Sequence, residues 1–298
     1  MPRRPKQRQP LLILPFDHRS SFARDLLGYE GHLSPVQKAR IKELKAMVYA
    51  GFEKAIKDEA HPEWFGVLID EMYGAELLKR AKHRGVTVSV TTEQSGQKEY
   101  HFEYGHSFLS HLDTFKPAYA KALVRYNPVD TELNKRQLTR IAQLSKACKK
   151  RGYGLLLELL VPPTEQDIAR AGSKAAFDQT LRHMLTAQAI KEIKRRVRVD
   201  VWKLEGMSTA GWKTVLAALG PDARVIVLGR GEGAARVREW LTDAARFDQI
   251  IGFAVGRTIF AAPLGGYLKK RLTKDQAISR IASSFKKYVN LWKRAKGL

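Results

Sequence analysis

The chain has 298 residues, with 53 Lys and Arg against 30 Asp and Glu, for a formal charge of +23. Its 44% hydrophobic content excludes a wholly disordered chain despite that charge. One cysteine, Cys148, excludes an intramolecular disulfide framework and a cysteine-based zinc cluster.

No apolar run approaches the ~20 residues that span a bilayer. The basic start leads into apolar residues 11–14 only, short of the ~7 that a secretory signal needs. The expectation is a soluble, cytoplasmic protein. Residues 1–10 read as a basic, disordered tail.

From there, short runs rich in Val, Ile and Leu recur at 11–16 (LLILPF), 65–69 (FGVLI), 86–91 (VTVSVT), 122–126 (ALVRY), 154–161 (GLLLELLV), 199–204 (VDVWKL), 224–228 (RVIVL) and 250–255 (IIGFAV). Such runs, mostly closed by a turn or polar residue, suit buried parallel strands. Helical patterns lie between them. Ser34-Pro35 opens the first, a Ser cap with Pro at the first helical position. Others start near Thr131 and end at Gly152, or cover 174–196, 209–219, 232–245 and 274–296. Residues 96–115 are the least regular and contain His101, His106 and His111.

Strand then helix, eight times, is the rhythm of an α/β fold of the (β/α)8 barrel type. A doubly wound open sheet ranks second, because it has fewer strands and two halves. No linker splits the chain, so 11–298 is expected to be one TIM-barrel domain.

In a barrel the chemistry sits at the C-terminal mouth, on strand ends and the loops after them. The strands deliver Asp17, His18 and Arg19; Asp70 and Glu71; Thr92 and Glu93; Arg125 and Asn127; Glu158; Lys203 and Glu205; Gly229, Arg230 and Gly231; and Gly256 and Arg257. Ionised groups inside apolar strands are costly unless paired or used. Lys203 interrupts an aliphatic run, and alternation puts Val201, Lys203 and Glu205 on one face. Facing inward, desolvated and near other cations, it favours the neutral amine that attacks a carbonyl. The alternative is a structural lysine paired with Glu158 or Glu205.

Glu158 stands between three leucines and two. An apolar setting raises a carboxyl pKa and an ammonium lowers it, which poises the group for proton transfer near neutrality. It also reads as a salt-bridge partner of Lys203. Asp17, with Arg19 close by, is a second acid/base, a hydroxyl anchor or a turn cap. The Gly229-Arg230-Gly231 turn and Gly256-Arg257 fit a phosphate, because glycine lets backbone N–H groups approach an anion and Arg257 adds a planar fork. Both also read as turn chemistry. The three histidines are spaced by five, which favours no metal site. Cys148 reads as a small buried residue, and Trp202 and Trp212 as packing.

Three segments carry a resemblance: 12–22 (LILPFDHRSSF), 201–206 (VWKLEG) and 252–264 (GFAVGRTIFAAPL). They resemble the aldolase-like domain of myo-inositol catabolism, often fused behind 5-dehydro-2-deoxygluconokinase and related to class I tagatose 1,6-bisphosphate aldolases. The resemblance implies a (β/α)8 barrel that cleaves 2-deoxy-5-keto-gluconate 6-phosphate to dihydroxyacetone phosphate and malonic semialdehyde, without cofactor or metal. It places the Schiff-base lysine at Lys203, the fifth-strand carboxylate at Glu158 and the first-strand acid at Asp17. The phosphate loop falls on Gly256 and Arg257. Related aldolases often offer a lysine on the fourth strand, where this reading finds Arg125. Arginine holds an anion but is a poor proton donor.

The expected partner is therefore a phosphorylated small molecule, bound through Arg19, Arg125, Glu205 and the two glycine-arginine turns; a homo-oligomer is compatible with the sequence. A nucleic-acid or polyanion-binding barrel without catalysis is the rival, given a pI of 10.1. Its basic clusters are scattered over tail and helices, with no aromatic platform between them. A third reading, an inactive scaffold, gives no reason for Asp17, Glu158 and Lys203 to occur together.

Overall fold

Alternation along each strand decides which side chains enter the barrel, and the computed structural model lets that parity be followed from end to end. It describes residues 9–298, so the tail read over 1–10 lies almost wholly outside the described residues. Eight parallel strands close in sequence order, each paired with the next and β8 with β1. They are β1 (Leu11–Pro15), β2 (Phe65–Ile69), β3 (Thr87–Thr91), β4 (Tyr119–Arg125), β5 (Gly154–Leu160), β6 (Val201–Glu205), β7 (Val225–Leu228) and β8 (Ile250–Ala254). The expected TIM barrel is present.

Between β1 and β2 lie α1 (Ser20–Leu27) and α2 (Pro35–Ile56), then α3 (Glu71–His83) and α4 (Phe108–Phe115) follow β2 and β3. Next come α5 (Thr131–Arg151), α6 (Glu165–Ala171), α7 (Lys174–Thr180) and α8 (Arg182–Lys194). The set closes with α9 (Thr209–Leu219), α10 (Ala234–Ala244), α11 (Arg257–Leu268) and α12 (Lys274–Lys296). Ser34 caps α2 in a full capping box with Gln37, as the Ser-Pro pair predicts. The helix expected over 174–196 is divided at Leu181, and across that point Asp178 of α7 and Arg182 of α8 pair at i,i+4 spacing.

Two cores result. Outward-facing Leu12, Leu14, Leu157, Trp202, Val227 and Phe253 pack under the helices, with the Phe253 ring edge-on to Phe285, Tyr288 and Trp292 of α12. The inward parity forms a separate plug of Leu11, Ile13, Leu68, Leu156, Val201 and Ile226. Followed two residues further along the same strands, that parity changes from aliphatic to ionised: Leu156 gives way to Glu158, and Val201 to Lys203. The plug is the floor on which the charged layer stands.

Candidate active site

Lys203 and Glu158 are neighbours by register, β5 and β6 pairing them directly. Lys203 is 4% exposed, and its Nζ donates to Glu158 Oε2 at 2.9 Å. Of its two candidate partners, the structure selects Glu158. A second lysine completes the arrangement. Lys121 of β4, 1% exposed, donates to Asp17 Oδ2 at 2.9 Å and to Glu93 Oε1 at 2.6 Å, and lies 3.0 Å from Glu158 Oε2. Carboxylates from the ends of β1, β3 and β5 thus converge on one nitrogen.

Lys121 corrects the sequence reading of the fourth strand. That strand begins at Tyr119 rather than Ala122, so the fourth-strand lysine exists and Arg125 does not replace it. The available signal was parity. Lys121, Leu123 and Arg125 alternate onto the same face, and YAKALVR is long enough to bring all three inside. Glu93 appeared only as a strand end, because nothing local says that a residue beyond β3 turns back toward β4.

The charges set each other's state. Burial pushes the Glu158 carboxyl up, but Lys121 and Lys203 outweigh it and hold the pKa at about 2. The same balance, led by burial and then by Lys121, holds Asp17 far below the ordinary carboxylate range. Burial works against the Lys121 ammonium, yet Asp17, Glu158 and Glu93 raise it well above an ordinary lysine. Glu158 is therefore ionised, rather than poised near neutrality as its leucine flanks imply.

Glu205, the next inward residue of β6, belongs to a different cluster. It accepts from Arg182 at 2.5 Å and forms an ion pair with Arg230 at 3.0 Å, while burial pushes its carboxyl up. Arg230 also reaches Asp178 at 3.0 Å, so three elements fix the turn after β7. Within that turn Gly231 has φ +76°, and a Cβ there would lie 2.6 Å from Arg257 Nη2. Arg257, first residue of α11 behind Gly256, donates to the Arg230 carbonyl at 3.1 Å. Gly229, Arg230, Gly231, Gly256 and Arg257 are thus brought together.

They line one lobe of the mouth, about 450 Å³, with Arg182 and Lys174. Asp17, Glu93 and Tyr100 line a second lobe of about 350 Å³. Lys203, Glu158, His18 and Arg125 border both. Arg125 donates to the Gln97 carbonyl at 2.8 Å. Arg19 lies apart from the glycine-arginine lobe: buried, it bonds Glu103 at 2.8 Å and the Glu93 carbonyl, and clasps the loop after β3. Cys148 is buried on α5, and burial pushes its thiol up to about 12.

The molecule is a (β/α)8 barrel whose mouth holds a buried network of lysines and carboxylates beside an arginine-rich turn. The chain belongs to the DUF2090 family, described as an uncharacterized protein conserved in bacteria, with residues 1–296 matched. Its fold is shared with Cgl0159 of Corynebacterium glutamicum at 16% identity and a TM-score of 0.60, over 95% of this chain and 86% of that one. Fructose-bisphosphate aldolase of Plasmodium falciparum has a TM-score of 0.66 at 10% identity, over 98% and 92% of the chains. A Schiff-base-forming fructose-1,6-bisphosphate aldolase has 0.57 at 11%, over 96% and 95%. At such identities the likeness is one of fold. No curated protein matches the sequence significantly. Among the described residues no helix is long and apolar enough to cross a membrane.

Proposed function

We propose that the protein is a class I, Schiff-base aldolase that needs no metal and cleaves a phosphorylated keto sugar or sugar acid. One observation carries this reading: Lys203 Nζ, buried at the mouth, touches a carboxylate that it shares with a second buried lysine. In its uncharged form Lys203 attacks the substrate ketone. Loss of water, with Lys121 as the nearby proton donor, leaves a protonated imine that serves as the electron sink. Ionised Glu158 or Asp17 takes the proton of the β-hydroxyl, the bond between the α and β carbons breaks, and the aldehyde leaves. The enamine that remains is protonated on carbon and hydrolysed.

Arg257, Arg230 and the backbone at Gly229–Gly231 hold the phosphate, and that remote binding orients the carbonyl over Lys203. The finer assignment is 2-deoxy-5-keto-gluconate 6-phosphate, giving dihydroxyacetone phosphate and malonic semialdehyde. Its support is the likeness of residues 12–22, 201–206 and 252–264 to that aldolase family.

Borohydride reduction with substrate present is expected to add the mass of the reduced adduct at Lys203, and turnover is expected to survive prior treatment with a chelator. An adduct that persists in Lys203→Ala overturns the assignment.

A further inference from the structure

Among the described residues, five of the nine buried side-chain polar atoms without a partner lie at the mouth: Asp17 Oδ1, His18 Nδ1, Arg19 Nε, Glu93 Oε2 and Arg182 Nε. Unpartnered polar atoms are rare in native interiors and concentrate where a ligand or reaction needs them. Four of the five belong to residues already fixed through another atom. Among the described residues the His18 side chain makes no hydrogen bond. It follows Asp17, its Nδ1 lies 3.9 Å from the unpartnered Asp17 Oδ1, and its side chain is 29% exposed. The ring borders both lobes alongside Lys203 and Glu158. With Nδ1 buried against Asp17, the Nε2 edge is the one open to the mouth.

The reaction proposed above requires a proton delivered to carbon after the aldehyde has left. Glu158 and Asp17 are ionised at rest, and Lys121 is protonated beneath them. The Tyr100 hydroxyl is buried against Thr92, and Glu205 is clamped between two guanidiniums. None of these is more than 8% exposed, so none renews its proton from solvent as directly as His18 can.

We infer that His18 carries a proton from solvent, through Nε2, to the α carbon of the enamine held on Lys203. The inference rests on the Schiff-base reading and names the acid that completes it. In this step the Nε2–H bond of the imidazolium breaks and its electron pair stays on nitrogen. The enamine π pair forms the new C–H bond, and the Lys203 nitrogen lone pair becomes the imine π bond. The neutral imidazole then takes its next proton from water.

The groups facing His18 from each side fit this cycle. Burial lowers its pKa to about 4, with Asp17 and Glu158 acting to raise it and Lys203 and Arg257 to lower it, so the resting ring is neutral. A phosphate bound by Arg257 offsets that guanidinium and raises the proton affinity of the ring once substrate is in place.

The test uses dihydroxyacetone phosphate in deuterium oxide, where the reverse of this step exchanges hydrogen at the hydroxymethyl carbon. The wild-type protein is expected to incorporate deuterium there. His18→Gln is expected to exchange about 100-fold more slowly, while borohydride still adds mass at Lys203. In His18→Ala, added imidazole is expected to restore part of the exchange, which a purely structural role would not allow. Wild-type exchange in His18→Gln overturns the proposal, and so does loss of the adduct together with no recovery by imidazole. Failure of the Schiff-base reading is seen separately, as a wild-type protein that forms no adduct.

Discussion

Lys121 and Lys203 place their side-chain nitrogens on one and the same oxygen, Oε2 of Glu158, at 3.0 and 2.9 Å. They come from β4 and β6, with the strand bearing that carboxylate between them. Among the described residues Lys203 makes no other ion pair, whereas Lys121 is held by two further carboxylates, Asp17 and Glu93. The geometry divides the labour: one lysine is pinned from three sides, and the other has one partner and faces the mouth.

Lys121→Met tests that division. It leaves Asp17, Glu93 and Glu158 facing one another with a single amine among them. Unpairing a buried charge network costs about 3–5 kcal/mol, so the thermal midpoint is expected to fall clearly. Turnover is expected to fall by about 10²–10⁴ if Lys121 donates a proton in imine formation. An unchanged melting curve and an unchanged rate together would remove Lys121 from the argument.

The same network predicts a pH profile for stability. Asp17 and Glu158 have folded-state pKa values below their unfolded ones, the latter at about 2 against 4.5. Their contribution is present above the unfolded values and is lost as pH falls through the folded ones. Lys121 is raised, so its contribution is present below the ordinary lysine value and is lost only in strong alkali. Denaturant titrations should therefore give a plateau from about pH 5 to 10 and a decline toward pH 2. A maximum confined to acid conditions would contradict the assigned charges.

Gly231→Ala probes the anion lobe. The added methyl needs a left-handed backbone and would press on Arg257, which is otherwise held by the Arg230 carbonyl. Strain of this kind costs about 1–3 kcal/mol. The expected result is a KM for phosphorylated substrate raised about tenfold, equivalent to about 1.4 kcal/mol, with kcat changed much less. Inorganic phosphate should weaken as a competitive inhibitor in parallel.

The charge of +23 leads to a further expectation. Several basic side chains are already paired, among them Arg136 and Arg140 with Glu99, Arg80 with Glu53, and Lys293 with Glu59. Filter binding in physiological salt is expected to find no DNA or RNA affinity tighter than micromolar. Tight binding with a steep salt slope would instead favour the polyanion reading.

Much of the molecule could be read from residue order. Eight aliphatic runs separated by helical patterns can bury both faces in a barrel or a doubly wound sheet, and the count of eight in one unbroken chain favours the barrel. Lys203 and Glu158 stood out because each puts a charge into an otherwise aliphatic strand core. The turns at 229–231 and 256–257 were legible through glycine and arginine together.

What sequence could not supply was convergence. Alternation is a one-dimensional rule: it assigns a side chain to a face but not to a partner. Lys121 meets Asp17, Glu93 and Glu158 only because barrel closure and stagger bring the ends of four strands to one level. Arg182 reaches Glu205 from a helix 23 residues away in the chain, a pairing that no local pattern announces. The residues and their faces were written in the chain; closure of the sheet in three dimensions decided which charges share an atom.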